Sequence, residues 1–373
     1  MRCLTEEPHI DWETHYFPHR RKRILKLLVD RIYQLMARLI FWLTGHPLAV
    51  ALSTSAVGLE GHLRRIDADA YFAHNIDTLL PACRIARRLG KIVLFDSMEF
   101  HSEMGESQTS LEKRIIRKIE SICLPRCALV FAASDGIAGA LAQAYGIARP
   151  ITLWNMPPVM SDLASKNLEG LMLYWRNSVI GLGQRGLDDA LTALGSLPAD
   201  VTLHLQGRLP VDGLHAVKTR IKDLGIGDRV IIHPPYPPDS AVREASKYSI
   251  GLCLERPGIR NHELTVSNKM FDYHMAGLAI VASDLPSLRA IVEESGAGIT
   301  FKAGSADSLA AAISKLYNDR RVLKQMQQNA RIFALREGNR EREMGKLTAN
   351  LTKLFPQLET VQRLGRGAVA SVR

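Results

Sequence analysis

The stretch Asn268-Lys-Met-Phe-Asp-Tyr-His-Met-Ala-Gly-Leu-Ala-Ile-Val-Ala-Ser-Asp-Leu-Pro286 decides how the rest of the chain is read. Met270, Phe271, His274 and Met275 recur at helical spacing, which predicts a helix opening near Asn268 and carrying Lys269 and Asp272 on its first two turns. Gly277 stops that helix, and Leu278-Ala-Ile-Val-Ala282 is apolar throughout, as a parallel strand buried on both faces must be. A helix N-terminus presents free N–H groups and partial positive charge, so a lysine beside it makes a site for a diphosphate. The competing reading is a helix whose charges are merely solvated.

Outward from this stretch, strand and helix alternate in two series. Strands are expected at Ala70–Ala73, Lys91–Phe95 and Ala128–Ala133, with helices over Asp77–Leu89 and Gly136–Tyr145. The second series has strands at Ser178–Gly181, Val201–Leu205, Val230–His233, Ser249–Leu254 and Leu278–Ala282, spaced so that one helix fits between each pair. Such alternation makes parallel sheets and gathers ligands at the strands' carboxyl ends. Those ends carry His74-Asn-Ile-Asp77, Asp96-Ser-Met-Glu99 with His101, Gly181-Leu-Gly-Gln-Arg-Gly186 and Gln206-Gly-Arg208. Each cluster taken alone also fits helix capping and turn formation.

The stretch from Asn268 to Pro286 closely resembles the donor-binding helix of retaining GT-B glycosyltransferases of the bacterial surface-polysaccharide group. There, Asn-Lys, a hydrophobic pair, an acid, an aromatic and Ala-Gly-Leu lead into a Val-rich strand. The resemblance implies an α/β fold of the GT-B plan, two Rossmann-like doubly wound domains facing across a cleft. It implies a hexosyltransferase-type enzyme, retaining and metal-independent, that takes sugar from a nucleotide-diphosphate sugar, with no further cofactor and no metal. Lys269, Asp272, Arg185 and His101 become the expected catalytic residues; Gly181, Gly183, Arg185, Gly207, Arg208, Asn268, Lys269 and Asp272 the donor contacts; and His74, Asp77, Asp96 and Glu99 the acceptor side. The acceptor implied is a glycan or a lipid-linked glycan, at the inner face of a membrane.

The chain departs from the pattern in places. The family's usual Glu is Asp272, its earlier Glu is Leu264 with Glu263 adjacent, and its second-motif histidine is Met98, with His101 three residues on. One basic residue precedes Gly186 where the family often has two, so Lys269 is expected to supply the second. The family's first strand and Gly-rich loop have no counterpart before residue 60. These departures keep open a catalytically impaired GT-B partner protein, and a nucleotide-sugar 2-epimerase shares the architecture.

At 373 residues the chain exceeds one comfortable core. The expected division is a basic amphipathic segment over 1–60, an acceptor-side domain over 61–158, a donor domain over 159–335, and a returning helix with a basic tail over 336–373. A net charge of +10 favours acidic partners. Nucleic acid is disfavoured because no aromatic-basic interleaved motif appears. The run His19-Arg-Arg-Lys-Arg23, followed by an amphipathic helix over Ile24–Leu43 with Phe41 and Trp42, suits an anionic membrane surface, and equally suits packing onto the protein. No secretory start is recognisable, so the expected location is cytoplasmic and peripheral to the membrane. The odd count of five cysteines, scattered in apolar surroundings, suits reduced thiols rather than disulfides or a zinc site.

Overall fold

The computed structural model describes residues 24–105, 108–163, 170–183 and 185–356. The basic run His19–Arg23 and the tail Arg363–Arg373 lie outside them.

The first described element is α1 (Ile24–Thr44), and a short helix α2 (Leu59–Leu63) follows two 3-10 turns. Then come β1 (Ala70–His74), α3 (Ile76–Leu89), β2 (Ile92–Ser97), α4 (Ser110–Cys123), β3 (Leu129–Ala132), α5 (Asp135–Tyr145) and β4 (Ile151–Thr152). The strands are parallel and stand in the order β1-β2-β3-β4. This sheet therefore winds in one direction only, and among the described residues no strand precedes Ala70 to start the opposite winding. Tyr71, Ala73, Val93, Phe95 and Ala132 alternate onto the face that packs against α3, α4 and α5.

The second domain opens with β5 (Leu171–Val179), seven residues before the strand expected at Ser178. It continues through α6 (Leu187–Gly195), β6 (Val201–Arg208), α7 (Val211–Asp223), β7 (Val230–His233), α8 (Ala241–Ala245), β8 (Ile250–Cys253), α9 (Arg260–Leu264), α10 (Asn268–Met275), β9 (Ala279–Ser283), α11 (Pro286–Ser295) and β10 (Gly298–Phe301). Helices α12 (Ala306–Asn318), α13 (Arg320–Arg336) and α14 (Arg340–Leu354) are the last elements among the described residues. Its six parallel strands run β10-β9-β8-β5-β6-β7. The order reverses between β5 and β8, which is the switch point of a doubly wound sheet.

Every residue of β8 and β9 is buried, as their uninterrupted apolar runs require. Gly251 lies directly under Tyr273; a Cβ there would come within 2.3 Å of the ring, so α10 settles against the sheet at that point. The Tyr273 hydroxyl accepts from the backbone N–H of Arg176 at 3.2 Å, fixing α10 over β5.

The connecting segment is tied to the start of α14. Glu343 accepts from Trp154 N–H at 2.9 Å, Glu341 accepts from Val159 N–H, and Arg340 N–H donates to Pro157 at 2.8 Å.

Helix α1 sits on the first domain with its polar stripe turned inward. Gln34 donates to Leu52 O at 3.2 Å, Arg38 donates to Ala51 O at 2.9 Å and pairs with Glu112 at 2.6 Å, and Ala37 and Phe41 join the core. Leu28, Val29, Ile32, Tyr33, Leu35, Met36, Leu39, Ile40, Trp42 and Leu43 are exposed.

Candidate functional site

A cavity of about 560 Å³ lies between the two domains at the carboxyl ends of β5 and β8, where the second sheet's order reverses. The first domain contributes Met98, Glu99 and Ala133; most of the wall, including Arg176, Arg185, Glu255 and residues 265–269, comes from the second.

The loop after β5 is bent by Gly183 and Gly186, which have φ of 76° and 66°. Arg185 between them also takes a positive φ of 46°, an uncommon conformation for a residue with a side chain. The turn aims Arg185 across the switch point at Glu255, and the two meet at 2.6 Å. Lys269 Nζ stands 3.8 Å from the same carboxylate and 5.8 Å from the centre of the Trp175 ring. Burial pulls the Lys269 pKa down, and Glu255 opposes the pull.

Three buried polar atoms in this cluster make no hydrogen bond: Lys269 Nζ, Glu255 Oε2 and His262 Nδ1. Buried polar groups are normally satisfied, so this concentration of exceptions in one cavity leaves hydrogen-bonding capacity directed at whatever fills it. The first turn of α10 opens into the same space at Ser267, Asn268 and Lys269, and no side chain caps it. Two cations and an uncapped helix end thus converge on one wall, an arrangement suited to a phosphate-bearing ligand.

A second ion pair stands at the same wall. Arg176 pairs with Asp272 and donates to the Tyr236 hydroxyl at 3.0 Å. Burial raises the Asp272 pKa, with Arg176 working against the rise. Burial would weaken the Arg176 cation, but Asp272, Tyr236 and Tyr273 outweigh it and raise its pKa. Arg176, Tyr236, Gln206 and Gly207 line the cavity beside β6. Gly207 is required by close approach: a Cβ there would lie 2.1 Å from Asn177 O.

The two domains touch through the segment at α9. Asn261 donates to Glu99 at 2.6 Å and accepts from the Phe100 N–H at 2.8 Å, while Ser134 donates to Leu264 O at 2.5 Å. The Leu264 side chain belongs to the first domain's core.

Of the residues expected from sequence, Arg185, Gly207, Asn268, Lys269 and Glu99 line the cavity together. Gly181 and Gly183 stand in the loop leading to Arg185 without lining it, Gln184 lies outside the described residues, and Arg208 points to solvent at the end of β6. Asp272 is a correction: its carboxylate pairs with Arg176 and does not line the cavity, so it does not stand open to a donor as the resemblance implied. His101 is another. It is 3% exposed with its ring against Phe95, and burial lowers its pKa to about 4, which makes it a core histidine outside the cavity.

His74, Asp77 and Asp96 do share the carboxyl rim of the first sheet. His74 bonds Asp96 at 3.0 Å and Asp77 accepts from Ser55 at 3.3 Å, beyond the cavity wall. Arg176, Glu255 and His262 were not singled out. The Glu255-Arg-Pro-Gly258 turn after the fourth strand was the available signal for Glu255.

Residues 179–319 match a family model described as Glycosyl transferases group 1. The match spans β5's last residue to α12 and so contains Arg185, Glu255, His262, Asn268 and Lys269. No curated protein matches the chain. Among solved structures, Anabaena Alr3699/HepE in complex with UDP superposes with a TM-score of 0.66 at 16% identity, covering 83% of this chain and 84% of that one. Sucrose-phosphate synthase from Thermosynechococcus elongatus gives 0.68 at 13% identity, covering 83% and 79%. WaaG, a glycosyltransferase involved in lipopolysaccharide biosynthesis, gives 0.60 at 13%, covering 81% and 83%. The fold is GT-B, as expected from the sequence.

Proposed function

We propose that this protein is a glycosyltransferase that moves a sugar from a nucleoside-diphosphate sugar to a glycan or lipid-linked acceptor, in the assembly of a cell-surface polysaccharide. The observation that carries this reading is the convergence of Arg185, Lys269 Nζ and the uncapped α10 N-terminus on one cavity, with Lys269 unbonded. The matched family model over 179–319 supports it, and so does the fold shared with a structure that holds UDP.

On this reading the bond between the sugar's anomeric carbon and the diphosphate oxygen breaks, and that oxygen leaves with the electron pair. Arg185, Lys269 and the helix end stabilise the charge that develops there. A bond forms between the acceptor oxygen and the anomeric carbon, and the acceptor proton passes to the departing diphosphate oxygen. The charge stabilisation comes from the chain's own cations, so transfer is expected to persist in EDTA. Retention of anomeric configuration follows from the family resemblance. Glu99, bonded to Asn261 across the cleft, ties the acceptor side to the donor side. His74, Asp77 and Asp96 stand further along the rim, where a long acceptor would run.

The test is titration calorimetry with nucleoside diphosphates, followed by nucleotide release from a panel of nucleotide sugars. Binding should stabilise the protein by about 2.7 kcal/mol at 100 times the dissociation constant. A chain that binds no nucleoside diphosphate defeats the proposal. A chain that binds one and releases none from any donor is the impaired partner protein, a reading favoured by the sealing of Asp272 behind Arg176. Interconversion of the free sugar nucleotide without transfer would identify the epimerase.

A further inference from the structure

Helix α1 buries Ala37 and Phe41 but turns ten large apolar side chains to solvent while Gln34 and Arg38 face the protein, the reverse of an ordinary surface helix. The orientation is specified by bonds, since Gln34 and Arg38 reach backbone carbonyls and Arg38 is also held by Glu112. At about 100° per residue, the exposed apolar positions from Leu28 to Leu43 cover about half the helix circumference.

The distribution within that arc is ordered. Ile32, Met36, Leu39 and Leu43 occupy its centre, while Tyr33 and Trp42, each with a polar atom on an apolar body, fall at its two edges. That is the arrangement of a helix lying in a bilayer interface, with aliphatic groups among the acyl chains and aromatics at headgroup level. A helix pairing with one other helix needs a narrower seam. No helix among the described residues is long and apolar enough to cross a membrane. The chain immediately before α1 reads His19-Arg-Arg-Lys-Arg23, which complements anionic headgroups.

We propose that α1 docks the protein on an anionic lipid surface, lying in its plane with the Leu28–Leu43 face immersed. The docked helix adjoins the acceptor rim. It packs on the turns at Ala49–Ala51 and Thr54–Ala56, and Ser55 of the second turn bonds Asp77 at the carboxyl end of the first sheet. Resting on the glycosyltransferase reading, this places the lipid surface beside His74, Asp77 and Asp96, and makes the acceptor a lipid-anchored one.

The test uses the full chain in flotation with vesicles of phosphatidylcholine alone and of phosphatidylcholine with phosphatidylglycerol. The parent should float with the anionic vesicles, and brominated acyl chains should quench fluorescence that Trp42→Phe removes. The double variant Ile32→Glu/Leu39→Glu should keep its melting temperature and its nucleotide affinity, because both side chains are already in solvent, yet lose vesicle binding more than tenfold. Arg20→Glu/Arg21→Glu/Arg23→Glu should weaken binding to anionic vesicles and leave the fold unchanged. A parent that does not float overturns the proposal, as does a double variant that floats as well as the parent. So does a lipid-free dimer dissociated by the double substitution, which would make the face a protein interface. Loss of nucleotide binding in the parent would count against the donor site alone, since flotation is scored without nucleotide.

Discussion

Lys269→Met should separate stability from binding. Lys269 is 3% exposed, its Nζ has no hydrogen bond, and its nearest anion is Glu255 at 3.8 Å. At an effective dielectric of about 20, a pair at that distance attracts by about 4 kcal/mol, and taking the ammonium out of water costs several kcal/mol, so the two nearly cancel. Methionine fills a similar volume without the desolvation cost, and Glu255 keeps Arg185 at 2.6 Å. The free variant should therefore melt within about 1 kcal/mol of the parent, or higher. The nucleoside diphosphate loses a charge-assisted hydrogen bond worth about 1.5–3 kcal/mol, which weakens its dissociation constant by about 10- to 150-fold.

Differential scanning calorimetry and isothermal titration read the two effects on one preparation. Unchanged affinity together with a large drop in melting temperature would refute the reasoning. Lys269 would then be only the structural counter-ion of Glu255, and the phosphates would bind elsewhere.

Asp272→Asn leaves the partly buried Arg176 without its carboxylate, and should cost about 1–3 kcal/mol of stability in urea unfolding; a change within about 0.5 kcal/mol would return Asp272 to a solvated helix face. Leu264→Glu restores the family's acid but buries a carboxylate in the first domain's core, so chemical unfolding should show a loss of about 3 kcal/mol. For pH, His101 and His274 are buried with pKa values lowered to about 4, so stability should be fully present above about 6.5 and fall as pH drops toward 4, by about 3 kcal/mol per histidine at most. Glu120, raised to about 7 by burial, acts oppositely, its contribution fading as pH rises from about 4.5 to 7; Glu120→Gln should therefore steepen the acid-side loss measured by urea unfolding.

The second sheet was legible because its central strands are buried on both faces and leave unbroken apolar runs between glycine stops, as at Leu278–Ala282 after Gly277. The start of β5 at Leu171 was not, because its far end carries Arg176-Asn-Ser178, and polar residues that line a cavity look like a loop in sequence. The same ambiguity hid Arg176. Asp272 was misplaced for a different reason. Helical spacing puts it one turn beyond Asn268, but the cavity meets the end of α10, and a side chain one turn further in is behind the wall. Amphipathicity likewise identified two faces of α1 without saying which one turned inward. That depended on Leu52, Ala51 and Glu112, which are distant in sequence and supply the partners for Gln34 and Arg38.

Leu264 shows how the departures from the family pattern fit together. In the sequence it occupies the place of a donor-side acid, yet its side chain is packed in the first domain and its carbonyl accepts from both Ser134 and Ser287. Gly136 is held to no side chain by the same contact, since a Cβ there would lie 2.7 Å from Leu264 O. A carboxylate at this position could not remain in such a joint without loss of hydration. The carboxylate beside the cavity's cations is instead Glu255, at the switch point, and those cations, Arg176, Arg185 and Lys269, all belong to the second domain, whereas Met98, Glu99 and Ala133 bring none from the first. On the proposed reading, the second domain alone neutralises the diphosphate. A first sheet with a single winding then forfeits no phosphate contact, and its rim is left to face the acceptor.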